Sequence, residues 1–177
     1  MAQNFGLLEL INSDLARLGC SGGFAFLKWY FFPRGETFPY VVWLRILHVC
    51  RKRVFLRWTI GIILYPIYRH FEFKYGIHAN PNIEIGPGLR VIHGPCNLNA
   101  ARIGRNFTVY SGVTIGVLRN GIPIIGDNVS IYTNAVVVGA VTIGDNTKIG
   151  ALTYVAKSIP PGMKILGTKS RAEISKM

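Results

Sequence analysis

The chain has 177 residues, half of them hydrophobic, with 20 Gly, 9 Pro and a net charge of +12. That is one good core with an appendage, neither a disordered nor a collagen-like chain. Its basic charge is shared evenly: residues 1–75 and residues 76–177 each carry 10 Lys/Arg against 4 Asp/Glu. Such a balance seeks polyanions, whether nucleic acid, anionic lipid or phosphorylated small molecules. Three cysteines (Cys20, Cys50, Cys96) form no CxxC pair, so a disulfide framework is not expected and a reducing cytoplasm is. Glu9 and Asp14 within the first 15 residues speak against a secretory signal.

In chain order, residues 1–75 read as an α-helical segment. "FGLLELINSDLARLG" has the spacing of a short amphipathic helix. "FPYVVWLRILHVCRKRVFLRWTIGIILYPIYRHFEFKYG" is apolar, aromatic and basic, with a helix expected to end before Pro66. Its longest uncharged run, Trp58 to Tyr68, is 11 residues, about half of the roughly 20 needed to span a bilayer. Two readings stay open for residues 38–74. The helices pack on one another and on the rest of the protein, or their aromatic face, flanked by Arg51, Lys52, Arg53, Arg57 and Arg69, rests on an anionic membrane. No nucleic-acid reading motif accompanies the charge, so nucleic acid is not an expected partner.

From residue 76 to 160 the pattern changes. An aliphatic residue recurs every sixth position: Ile85, Val91, Ile103, Val109, Ile115, and, after a four-residue insertion, Ile125, Ile131, Val137, Ile143, Ile149 and Val155. A second series sits two residues earlier, at Ile83, Leu89, Ala101, Phe107, Val113, Val129, Ala135, Val141 and Thr147. Period six with Gly, Asn and Asp corners means short strands joined by tight turns, stacked so that the aliphatic residues form a column. This is a hexapeptide β-helix, a mainly β fold. The insertion "VLRNGIP" (117–123) should loop out at a corner, and residues 161–177 form a tail. One in-register position breaks the pattern: Asn97 stands where an Ile or Val is due, just after "HGP". His93 is the residue there able to accept a proton near neutrality, as a general base must. Asn97 would bend the coil or hydrogen-bond within it. Cys96 beside it is an alternative acyl-carrying nucleophile, though nothing in the sequence lowers its pKa.

The repeats, for example "IGDNVSIYTNAVVVGAVTIGDNTKIGA", resemble the left-handed β-helix acyltransferases. The left hand comes from that resemblance; chain chirality alone favours right-handed crossovers. The resemblance implies roughly four triangular coils over residues 83–157 and a homotrimer with active sites between neighbouring prisms. "IHANPNIEIGPGLRVIHGPCNLNAARIG" is similar to serine acetyltransferases at their catalytic stretch, and His93 falls on their catalytic histidine. "LRILH" (Arg45, His48) resembles their "YRxxH" helix, "AKSIPPG" their "xKSVPP" and "GTKSR" their final "GxxAR". Serine acetyltransferases have an aspartate fifteen residues before that histidine and another immediately before it; here these are His78 and Ile92. Their second active-site histidine, before a proline, is Ile122 here. Glu72 and Glu84 are the carboxylates nearby in sequence.

These departures, and the short N-terminal segment, resemble the small capsule and exopolysaccharide O-acetyltransferases of the colanic-acid type. The leading expectation is therefore transfer of acetyl from acetyl-CoA to a saccharide hydroxyl at the inner face of the cytoplasmic membrane. His93 would be the base, with His78 and Asn97 as possible supports, and no acyl-enzyme would form. The alternative is a serine or other small-molecule O-acetyltransferase. For acetyl-CoA, the resemblance points to Gly116, Thr133, Gly139 and Ala151 along the pantetheine, and to Lys157, Lys169 and Arg171 at the 3′-phosphate end. No metal is expected, because a zinc site needs about three such ligands and His78 and His93 are the only histidines in or beside the repeat.

Overall fold

A computed structural model describes residues 5–19, 23–31, 37–52, 60–80, 82–119 and 121–167. Among the described residues four helices come first: α1 (Leu7–Ala16), α2 (Gly23–Phe31), α3 (Phe38–Lys52) and α4 (Ile60–Tyr75). Fourteen short strands follow among the described residues, from β1 (Ile77–Ala79) to β14 (Lys164–Ile165). Each strand up to β10 pairs in parallel with the strand three further along the chain, and β12 pairs with β14, giving three faces. The first face holds β1 (Ile77–Ala79), β4 (Cys96–Leu98), β7 (Thr114–Gly116), β10 (Val136–Val138) and β13 (Tyr154–Val155). The second holds β2 (Glu84–Ile85), β5 (Arg102–Ile103), β8 (Ile124–Ile125) and β11 (Thr142–Ile143). The third holds β3 (Arg90–Ile92), β6 (Thr108–Tyr110), β9 (Ser130–Ile131), β12 (Lys148–Ile149) and β14. This is the hexapeptide β-helix read from the sequence. Strand pairing runs from Ile77 to Ile165 and makes about five turns rather than four.

Register puts like on like. Ile85 sits under Ile103, Ile103 under Ile125 and Ile125 under Ile143 on the second face; Val91, Val109, Ile131 and Ile149 stack on the third. All are buried. Between the second and third faces successive corners carry Gly-Arg-Asn and then twice Gly-Asp-Asn. Arg105 N and Asp127 N donate to the Oδ1 of Asp127 and Asp145 one coil on, at 2.8 and 2.7 Å. The Asn106, Asn128 and Asn146 amides chain in the same way, at 2.9 and 3.1 Å. Asn suits these places because all three adopt positive φ, which its short side chain tolerates.

The register slips by one residue at the unusual repeat. Val91 pairs with Val109, eighteen residues on, but Leu98 pairs with Ile115, seventeen on. The turn His93-Gly94-Pro95 therefore carries one residue more than its neighbours, and the next turn one fewer. A one-residue shift in a strand exchanges inside for outside. Leu98, fully buried, fills the core position expected of Asn97, and Asn97 points out. For the same reason Ala100 is buried in place of Ala101. Asn97 thus neither bends the core nor bonds within it.

The helices close the first coil. α1 buries Leu10, Ile11, Asp14 and Leu15 on one stripe. Asp14 receives Arg45 Nε at 2.8 Å and Nη2 at 3.0 Å, and the backbone N–H groups of Gly88 and Leu89 at 2.9 and 2.7 Å. Arg45 in turn donates to the carbonyls of Ile85 and Gly86 at 2.6 and 2.7 Å. Both side chains are 1% exposed. Burial pushes the Asp14 carboxyl up, against which the guanidinium and the N–H donors act.

α4 does not stop before Pro66; it runs through it to Tyr75. An interior proline removes one backbone bond and costs about 3 kcal/mol. The helix is held regardless, because Tyr68 is buried against Tyr40 and donates its hydroxyl to the Ala79 carbonyl at 2.6 Å. That uses the Tyr68 proton, so Tyr40 donates to Tyr68. Gly76, at φ 65°, ends the helix, and its carbonyl accepts from Cys96 N at 3.1 Å.

Asp14→Ala and Arg45→Met should each destabilise the protein by about 3–5 kcal/mol, since each leaves a buried charge without its partner. Urea denaturation should show this as a lowered midpoint with an unchanged slope.

Candidate active site

Consider first the corner where the third face meets the first. Here His93, Gly112, Asn134 and Leu152 all adopt positive φ, one in each successive coil. Backbone bonds tie the column together: Gly112 N to Pro95 O at 2.6 Å, Asn134 N to Ser111 O and Leu152 N to Thr133 O, each at 3.0 Å. A left-handed conformation costs a non-glycine residue roughly 1–2 kcal/mol, so it holds the exposed His93 ring out at the bottom of this column for a structural reason. Among the described residues His93 has no hydrogen-bond or ion-pair partner. On the chain leading into the first three of these corners stand Ile92, Tyr110 and Tyr132, each partly exposed. The two tyrosine rings stack with centroids 4.9 Å apart.

The turn that carries His93 rests on the end of α4. A Cβ on Gly94 would collide with the Tyr75 carbonyl, so only glycine fits there. Beyond that contact, α4 and the first face enclose a cavity of about 300 Å³ lined by Tyr65, Tyr68, Arg69, Glu72, His78, Ala79, Asn80, Asn97, Leu98 and Asn99. Its wall includes Glu72, 7% exposed in its side chain, whose Oε1 meets His78 Nδ1 at 3.2 Å and whose Oε2 is paired with Arg69 Nη1. Arg69 also lies over the Phe73 ring, 4.5 Å from its centroid. His78 pairs in register with Asn97, so the slip described above is what puts the Asn97 amide on the cavity wall.

The two possible supports, His78 and Asn97, are thus brought together, but around Glu72; His93 is not among the residues lining the cavity. Glu84 is on the second face, exposed. The sequence named Glu72 only as a nearby carboxylate and Arg69 only as a basic flank. A signal was present: Tyr65, Tyr68, Arg69 and Glu72 have the i, i+3, i+4, i+7 spacing of one helical face.

The residues assigned to acetyl-CoA fall on two corners. Thr133 and Ala151 belong to the His93 column. Gly116 and Gly139 stand at the corner between the first and second faces, joined by Gly139 N to Gly116 O at 3.3 Å, and Lys157 follows β13 at the same corner. The insertion also leaves the prism there. Leu118 and Gly121 exchange backbone bonds at 3.1 and 2.9 Å, and a Cβ on Gly121 would strike the Ala140 backbone. Lys169, Arg171, Arg53 and Arg57 lie outside the described residues. Cys96 is 4% exposed and burial pushes its thiol up to about 12, so it stays protonated and is no acyl carrier. No helix among the described residues is long and apolar enough to cross a membrane, and no three His, Cys, Asp or Glu among them are grouped to hold a metal.

Residues 122–157 match the bacterial transferase hexapeptide family (six repeats). Coils and match together define a hexapeptide-repeat transferase. The serine acetyltransferase of Helicobacter pylori is 33% identical over 133 residues, 72% of this chain and 75% of that protein. The crystal structure of Neisseria gonorrhoeae serine acetyltransferase in complex with serine superposes with a TM-score of 0.72 at 25% identity, over 92% of this chain and 67% of that one. Entamoeba histolytica serine acetyltransferase isoform 3, in complex with cysteine, shares the fold with a TM-score of 0.74 at 23% identity; the chain covers 62% of it. The chain belongs to the serine acetyltransferase-like hexapeptide-repeat acyltransferases. This favours the small-molecule expectation over the capsule one, and none of these three relatives speaks for a polysaccharide acceptor or a membrane surface.

Cys96→Ala should leave acetyl transfer within about threefold of the unmodified protein, the cost being stability, on the order of 1 kcal/mol for the small volume lost. Thiol titration of the folded protein at pH 8 should find Cys96 unreactive, because a thiol with its pKa near 12 is almost wholly protonated there. Rapid labelling of Cys96 would contradict its buried, neutral state.

Proposed function

We propose that this protein is an acetyl-CoA-dependent O-acetyltransferase whose acceptor is L-serine or a hydroxy amino acid of similar size. The identity to serine acetyltransferases across helices and coils carries this reading. His93 takes the proton of the acceptor hydroxyl as its oxygen attacks the thioester carbonyl. The tetrahedral intermediate collapses, the carbon–sulfur bond breaks, and CoA leaves as the thiol with the proton that His93 returns. Backbone N–H groups at the corner are the donors suited to the oxyanion. With Cys96 buried and neutral, transfer is direct.

The reading includes a homotrimer. The His93 corner of one protomer, with Thr133 and Ala151, would face the other corner of the next, with Gly116, Gly139, Lys157 and the Leu118–Gly121 hairpin. Acetyl-CoA would lie in the groove between them, which accounts for the division of its candidate contacts over two corners. A reaction drawing on acetyl-CoA belongs in the cytoplasm; membrane contact is not part of this reading. A saccharide acceptor is the second reading. It is favoured by Ile92 beside the base and by the stacked Tyr110 and Tyr132, whose faces suit a sugar ring.

Release of CoA thiol should follow addition of L-serine to protein and acetyl-CoA. His93→Ala should lower kcat/KM by about 10²–10⁴-fold while leaving thermal melting and trimer mass unchanged. Turnover surviving in that variant removes His93 as the base, and thiol release with oligosaccharides but not with serine selects the second reading.

A further inference from the structure

We propose that the outward faces of α2 and α4 are a docking surface for an anionic lipid bilayer, on which the helical end of the protein rests. Such docking is independent of which acceptor takes the acetyl group.

α4 is apolar on two sides. Leu64, Tyr68, Phe71 and Tyr75 turn inward to the core. On an ordinary surface helix the opposite side is polar. Here it carries two adjacent rows, Ile62, Pro66 and Phe73 beside Ile63, Ile67 and Lys74, each with i, i+4, i+11 spacing. Ile62, Ile63 and Phe73 are 60, 70 and 66% exposed. α2 repeats the arrangement. Its Phe26, Trp29 and Tyr30 pack inward, whereas Phe24, Leu27 and Phe31, spaced i, i+3, i+7, are exposed with Lys28 beside them. The two helices meet at Trp43 of α3, which donates from Nε1 to the Tyr30 hydroxyl at 2.9 Å and stacks on Phe71 with centroids 6.1 Å apart. Large apolar side chains exposed in rows on neighbouring helices, with polar residues at their rim, mark a contact surface.

Charge decides what that surface meets. Residues 19–75 carry nine Lys/Arg against Glu36 and Glu72. Beside the apolar rows stand Lys28, Arg69, His70 and Lys74. The one carboxylate on either helix is Glu72, which is buried and paired with Arg69 and His78. A second copy fits poorly: a two-fold contact sets a patch against itself, so these cations would meet their own copies with no free carboxylate between them. An anionic headgroup layer supplies the missing charge and the acyl boundary beneath it the apolar contact. The cations are arranged for this. The Arg69 guanidinium lies 4.5 Å from the Phe73 ring centroid, and Lys74 Nζ lies 5.9 and 5.6 Å from those of Phe71 and Tyr75, charged heads over an apolar bed. α4 has 16 residues, which makes it about 24 Å long, short of the roughly 30 Å hydrocarbon core. It therefore lies in the interface and does not cross it.

Flotation of the full-length protein with lipid vesicles is the test. Binding is expected to equimolar phosphatidylcholine and phosphatidylglycerol but not to phosphatidylcholine alone. It should weaken in about 1 M salt, where charges are screened within about 3 Å. Ile63→Ser and Phe73→Ser should each lower the partition coefficient about tenfold, and Lys28→Gln and Lys74→Gln about fivefold. All four side chains are exposed, so thermal melting and particle mass should not change. Absence of binding to the anionic vesicles overturns the proposal, as does undiminished binding by both Ile63→Ser and Phe73→Ser. Equal binding to the two vesicle types leaves the cations without a role and overturns it as well. A particle mass that falls in Ile63→Ser, in a protein that binds neither vesicle, gives the face to a second copy instead. Thiol release with L-serine, measured without vesicles, stands or falls apart from all of these results.

Discussion

A stack of parallel coils has two raw ends, and at one of them the Asp14–Arg45 pair does the closing. The first coil would otherwise leave backbone groups of its corner at Ile85–Leu89 facing apolar helices. Asp14 meets the two N–H groups and Arg45 the two carbonyls, and each neutralises the other. Repeat proteins need an end unit unlike the repeats. Here it is a pair of helices carrying one buried ion pair, aimed at a corner that repeats too little to close itself. α3 and α4 then pack together over the first coil, α3 against β3 and α4 against β1, so that one continuous core runs from Tyr40 to Ile159.

The candidate site inherits its shape from that docking. α4 comes down so close to the first coil that the chain beneath must be glycine at residue 94 and must make a longer turn to pass. The extra residue is absorbed within one coil, because the following turn is shorter and Ile103 is back in register. Between those two points the strand is displaced by one. Leu98 goes in, and Asn97 comes out beside His78 and Glu72. The corner that offers His93 and the cavity under α4 are therefore two results of one crowded contact.

Much of this was legible in the residues. Period six named the coils, their corners and the place of the insertion, because stacking identical turns demands identical spacing. The amphipathic stripe named α1. The break at Asn97 was visible as a break, though not as a slip, since spacing alone does not tell an inward polar residue from a displaced strand. Pro66 misled for a related reason: the local rule against interior proline is outweighed by the anchoring of Tyr68 far away in sequence.

Local repetition and short motifs were enough to establish the solenoid and the kinship that puts an imidazole at residue 93. Which charges meet was left to packing. Asp14 and Arg45 are 31 residues apart in the chain, and Glu72 reaches His78 across a helix end and into a strand. Such pairs depend on where a helix lands on the coil, and that is settled by close packing over the whole end of the prism, which no local spacing records.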